Sequence, residues 1–168
     1  MSIADLLLPE FDQEIAITRR VLERVPDDRG EWKPHPKSFP MGHLAQLVAR
    51  LPGWTTMIMQ RTELDIAPPG GGSFPGYTFE KTATLLDEFD RAAAAARAAI
   101  AAAREEDWQV PWTFKRAGET LSVMSRYLML RTAVLNHLVH HRAQLGVYLR
   151  LVDVPVPPMY GPTADEGK

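Results

Sequence analysis

Two histidines four residues apart, His137 and His141, are the residues of this chain best suited to chemistry. On an α-helix that spacing sets both imidazoles on one face about one turn apart, where they can share one metal ion. A third ligand from another helix would complete an open site of the catalytic zinc type, with exchange positions left for water or substrate. His43, four residues before Leu47 and on roughly the same helical face, is the candidate for that third position. Blander readings stand beside these. The pair can be two buried or surface imidazoles that coordinate nothing, and His43 a histidine at a helix N-terminus. Leu138 and Val139, between the paired histidines, offer no general base, which excludes a zincin-type protease. His140 points about 100° around the helix from His141, toward a neighbouring side chain or a partner. His35 lies in a prolyl loop, where a solvated imidazole is the ordinary expectation. No serine sits in a recognisable nucleophile elbow, and the absence of cysteine rules out thiolate ligands, thiol nucleophiles and disulfides.

The elements that must position these residues read as helices. Phe11, Ile15, Thr18, Leu22 and Val25 recur at helical steps and predict a first helix starting at Ser2 or Pro9 and ending at Val25, with Ser2 and Asp5 as capping-box partners. Three prolines between Glu31 and Pro40 exclude a regular helix there. Leu44, Leu47, Val48, Leu51, Trp54 and Ile58 predict a second helix over Met41 to Glu63, bent at Pro52-Gly53. Ile66 to Gly76 is a proline- and glycine-rich crossover without the lysine and hydroxyl of a phosphate loop. A third helix follows over Thr78 to Arg104. Glu105 to Thr120 reads as a loop or short hairpin carrying Trp108, Trp112 and Phe114, rings that cap the helices or line the entrance to a site. Trp32 and Trp54 read as packing anchors.

A fourth helix is expected over Leu121 to Val152, with Tyr127, Leu130, Val134, His137, His141, Leu145, Tyr148 and Val152 as one inward stripe. The tail from Asp153 to Lys168 should fold back through Val156, Met159 and Tyr160. The expected architecture is all-α, a four-helix bundle running up-down-down-up with a long crossover between the second and third helices. The 168 residues suit a single domain, 1–168, with 153–168 as an extended tail.

Composition narrows the partners. With 19 Lys plus Arg against 21 Asp plus Glu, the formal charge of -2 argues against a nucleic-acid binder relying on bulk phosphate neutralisation. No segment reads as membrane-spanning, since the alanine tract from Ala92 to Ala103 is broken by Arg97. The N-terminus lacks the basic region of a signal peptide, so the cytoplasm is the expected location.

The run Leu135-Asn136-His137-Leu138-Val139-His140-His141-Arg142-Ala143-Gln144-Leu145 resembles the signature of the DinB/YfiT-like superfamily. The likeness extends through Trp32-Lys33-Pro34-His35-Pro36-Lys37-Ser38, Leu51-Pro52-Gly53-Trp54, Glu63-Leu64-Asp65 and the tail from Val154 to Glu166, essentially the whole chain. The resemblance implies a four-helix bundle, a homodimer, and a divalent metal, zinc or nickel, held by three histidines. Two of these match His137 and His141. The third is expected at Leu47, where this sequence departs from the pattern; His43 has the same local wording one turn, about 5.4 Å, upstream. Three readings stay open: His43 substitutes, only two histidines ligate, or no metal binds. The implied activity is transfer of an external small thiol to an electrophile. Its alternatives are a non-catalytic stress or interaction protein and a metal-assisted hydrolase.

Overall fold

The computed structural model describes residues 1–71 and 76–166. Helix α1 (Ile3–Leu22) opens with the expected cap: the Ser2 side chain accepts from the Asp5 amide, and the Asp5 carboxylate accepts from the Ser2 amide. Pro9 lies inside this helix, whose buried face carries Phe11, Thr18 and Leu22. The predicted bent helix is two helices, α2 (Met41–Arg50) and α3 (Gly53–Gln60). Leu51 and Pro52 between them keep helical dihedrals, and the ladder is interrupted because proline has no amide hydrogen to donate. Helix α4 (Thr82–Ala102) packs on α1, α2 and α3, with Ala93 and Ala96 buried where thin side chains allow close approach. The last helical rod is composite: α5 (Arg126–Met129), a π-helical stretch Leu130–Asn136, and α6 (His137–Leu151).

The all-α expectation is wrong. A three-stranded mixed sheet, β1 (Glu63–Asp65), β2 (Pro111–Arg116) and β3 (Glu119–Ser125), makes the fold mixed α/β rather than a pure four-helix bundle. Strand β1 pairs parallel to β2, with Glu63 opposite Thr113 and Leu64 opposite Phe114. Strand β2 pairs antiparallel to β3, with Trp112 opposite Met124 and Phe114 opposite Ser122. The expected second helix therefore stops short of Glu63, and the expected fourth helix does not begin at Leu121. The physical reason lies in the residues. Leu121, Ser122, Val123, Met124 and Ser125 alternate in burial as a strand does, with Leu121 and Val123 exposed, and Ser125 then caps α5 by accepting from the Leu128 amide.

Two consecutive residues at positive φ, Ala117 and Gly118, turn the chain between β2 and β3 as a tight hairpin requires. The Asp65 carboxylate accepts from both turn amides at 3.0 and 2.7 Å, joining β1 to the hairpin tip. Desolvation pushes the Asp65 carboxyl up, but the amides of Ala67, Gly118 and Ala117 outweigh it and hold the group below the usual carboxylate range.

The main core joins α1, α2, α4 and α6 through Leu22, Val48, Phe89, Leu138 and Leu145, and Leu47 is buried within it at 9 % exposure. The tail folds back as expected: Val156 and Met159 pack on that core. Gly146 permits this approach, since a Cβ there would meet the end of Met159 at 3.0 Å. The crossover reading over Ile66 to Gly76 falls partly on residues 72–75, which lie outside the described residues. Among the described residues no helix is long and apolar enough to cross a membrane.

Candidate functional site

The stretch that delivers the histidine pair is itself unusual. The π-helical segment ends at Asn136 and hands over directly to His137. A widened turn rotates everything downstream by about 100° relative to an unbroken α-helix, and such turns concentrate at functional sites. Thr132 adds to the irregularity by donating its hydroxyl to the Leu128 carbonyl at 2.8 Å.

His137 and His141 meet through their Nε2 atoms, 2.8 Å apart. The Nδ1 of His141 lies 2.7 Å from Gln144 Oε1, and Gln144 Nε2 lies 3.2 Å from His140 Nε2. In the orientation the Gln144 amide takes here, its oxygen accepts from His141 Nδ1–H and its nitrogen donates to His140. The Ala133 backbone carbonyl favours a protonated His137 ring. With Nε2 turned to His141, the nitrogen left for that carbonyl is Nδ1. With the Nδ1 protons of both rings turned to oxygen, two Nε2 lone pairs stand face to face. A proton on either Nε2, or a cation between them, relieves that arrangement. Burial lowers the pKa of His137 below the ordinary imidazole value, helped by the charge of His141 and opposed by the Ala133 carbonyl. Burial lowers His141 too, against the bond to Gln144. The neutral, ligating form is favoured in both.

The pair stands between two cavities. The first, about 310 Å³, is bounded on one side by the sheet: Leu64, Trp112, Phe114, Ser122 and Met124 share one face by strand alternation. The other wall comes from the helices, with Trp54 and Ile58 on α3, Met129, Thr132 and Ala133 above the pair, and His137 itself. Trp54 meets the His137 ring edge-to-face at 6.1 Å. Trp112 also carries a buried indole N–H with no acceptor among the described residues, a polar group left unsatisfied at some cost. The second cavity, about 400 Å³, is more polar and includes Lys37, Ser38, His141, Gln144 and Tyr148.

His43 is held elsewhere. Its ring is sandwiched between Phe39 and Tyr77, at centroid distances of 4.3 and 3.9 Å, and its pKa is lowered by burial and by the charge of Arg50. Among the described residues no group of three or more His, Cys, Asp or Glu side chains is placed to hold a metal ion. The described residues therefore bring together two imidazoles. That donor set fits a two-histidine attachment and does not fit a three-histidine centre.

Sequence reasoning missed the cluster beside the pair. Arg142 is fully buried and bridges α6 to α1 and the tail. It contacts Glu14 Oε2 at 2.7 Å and donates to the Glu14 carbonyl, Thr18 Oγ1 and the Tyr160 hydroxyl. Tyr160 in turn donates to the Glu14 carboxylate. A buried arginine within an apolar stripe was the available signal, because such a charge requires a partner. Of the loop aromatics, Trp108 is buried in the cluster with Phe11, Ile100 and Leu130, whereas Trp112 and Phe114 face the first cavity.

A helical body with a small sheet folded over a histidine pair defines a class of protein by fold and site. The DinB family model matches residues 1–168, and the chain belongs to that family. Solved structures agree on the fold. A DinB-like protein from Bacillus cereus ATCC 10987 superposes with a TM-score of 0.68 at 19 % identity, covering 91 % of this chain and 95 % of that one. A DinB-like protein from Bacillus subtilis, YjoA, gives 0.67 at 15 % identity, covering 92 % and 97 %. No curated protein matches the chain.

Proposed function

We propose that this DinB-family protein binds a divalent ion, zinc or nickel, through His137 and His141 alone, and acts as a transferase that joins an external small thiol to an electrophile. The observation that carries the reading is the pair of Nε2 atoms 2.8 Å apart, with Gln144 Oε1 2.7 Å from the Nδ1 of His141. Holding Nδ1–H on oxygen is how proteins orient a ligating imidazole and raise its basicity. A divalent ion bound there would supply Lewis-acid activation, lowering the pKa of the incoming thiol.

The chain's own residues do the rest. Gln144 orients His141, and the Ala133 carbonyl orients His137. Lys37, beside the polar cavity, offers a positive charge to a co-substrate on the His141 side. The apolar cavity keeps water from an electrophile on the His137 side. The thiol comes from outside because the protein has no cysteine. The homodimer implied by the family resemblance belongs to the same reading. Sedimentation should give a dimer mass, and a monomer mass independent of concentration would remove that part.

The test is calorimetric titration of metal-free protein with zinc and with nickel. One ion per chain is expected, lost in His137→Ala and His141→Ala and retained in His43→Ala. A second reading, a non-catalytic interaction protein, is favoured by Leu47, which puts hydrocarbon where the family resemblance places the third ligand. It would prevail if neither metal bound the wild-type chain.

A further inference from the structure

The walls of the first cavity state what it excludes. Among the described residues that line it, none is an arginine, lysine, aspartate or glutamate. In the metal-free chain an anionic group carried into it would lose its water and find no countercharge, a costly way to bury a ligand. What it offers is aromatic face and edge from Trp54, Trp112 and Phe114, polarizable sulfur from Met124 and Met129, and the imidazole of His137 at its border. Flat rings gain most from such surroundings through offset and edge-to-face contacts and through sulfur–aromatic contacts. A cavity of about 150 Å³ accommodates one benzene ring, so 310 Å³ suits one or two rings. The polar counterpart lies across the histidine pair, where Lys37 and Gln144 border the second cavity.

We propose that the cavity between the sheet and α3 is the binding site for a neutral, flat, apolar molecule of one or two rings, and that in the metal-free chain it discriminates against carboxylated or phosphorylated molecules of the same size. The proposal names the electrophile class for the transferase read above and rests on that reading for the chemistry, because His137 is both the ligating residue and part of the cavity border. It makes the sheet a specificity element. Leu64, Trp112, Phe114, Ser122 and Met124 reach the cavity only because β1, β2 and β3 align their alternate residues on one face.

The probes are 2-naphthol and its anionic counterpart 2-naphthoate, titrated calorimetrically into the full metal-free chain near neutral pH. 2-Naphthol should bind with a negative heat-capacity change, and 2-naphthoate at least about tenfold more weakly. Ser122→Phe, which fills the cavity from the strand, should weaken 2-naphthol by about tenfold or more while zinc binding stays as in the wild type. Ser122→Lys, which adds a cation to the same wall, should narrow or reverse the preference and keeps the test decisive if Ser122→Phe does not fold. Circular dichroism verifies the fold of each variant. Equal or tighter binding of 2-naphthoate by the wild type, no binding of 2-naphthol, or an unchanged 2-naphthol affinity in folded Ser122→Phe would each overturn the proposal. The metal reading fails separately: 2-naphthol bound as expected with no uptake of zinc or nickel would leave the cavity assignment standing and remove the metal site.

Discussion

His141 and Arg142 are consecutive on α6, yet they belong to opposite kinds of polar cluster. Arg142, Glu14, Thr18 and Tyr160 close on one another: the guanidinium meets a carboxylate, a carbonyl and two hydroxyls, and the cluster locks the tail to α1. His141 and His137 spend their outer nitrogens on oxygen acceptors and confront each other with lone pairs, beside two cavities. A buried polar cluster satisfied almost entirely by the protein serves the fold. One that leaves two imidazole nitrogens facing each other next to open space is the one we propose takes a ligand from outside. Adjacent residues on a helix point about 100° apart, so one turn of α6 serves both purposes.

The largest effect is expected at the arginine. Arg142→Ala leaves the Glu14 carboxylate buried without its cation and should cost about 3–5 kcal/mol in denaturant unfolding. The variant that remains folded should bind zinc with unchanged stoichiometry. His137→Ala should do the reverse: a stability change within about 1 kcal/mol, since the residue is only partly buried, and loss of zinc binding. If the two substitutions had similar effects on stability, the division between a structural and a functional cluster would fail.

Gln144→Ala sharpens the functional side. It removes the acceptor on His141 Nδ1 without touching Nε2, and should weaken zinc binding by about 10–100-fold with the fold intact. The smallest effect concerns His43. Its pKa is depressed in the fold, so the unfolded chain takes up its proton first as pH falls. Stability should therefore decline as pH drops below the ordinary imidazole value of 6.5. In metal-free protein His137 and His141 add to the same slope. His43→Phe should flatten part of it while keeping the stack between Phe39 and Tyr77, and an identical slope in both proteins would show that His43 titrates alike folded and unfolded.

Much of the helical framework was legible because its signals are local. The stripe from Phe11 to Val25, the cap formed by Ser2 and Asp5, and the shared face of His137 and His141 all follow from periods of three and four residues. The sheet was not legible for the same reason. Strand β1 is three residues long and pairs with β2 across some fifty residues of chain, so no local pattern announces it. Along β3 the alternation was present, but the strong stripe beginning at Leu130 invited extension of the helix back to Leu121. The π-helical stretch is equally silent, since it changes hydrogen bonding without changing residue type. The histidine pair could thus be found by spacing, whereas the cavity beside it, built from five strand positions and two helical segments, could not.

In the proposed site both histidines ligate through Nε2 while Nδ1 stays protonated. Nitrogen-15 spectra of the imidazoles, recorded on the full chain during a zinc titration, test this directly. The expected result is a stoichiometric shift of the Nε2 resonances of His137 and His141, with their Nδ1 resonances remaining those of protonated nitrogen and the His43 signals unmoved. Zinc-induced shifts at Nδ1 of the pair, shifts centred on His43, or no change at any imidazole would contradict it.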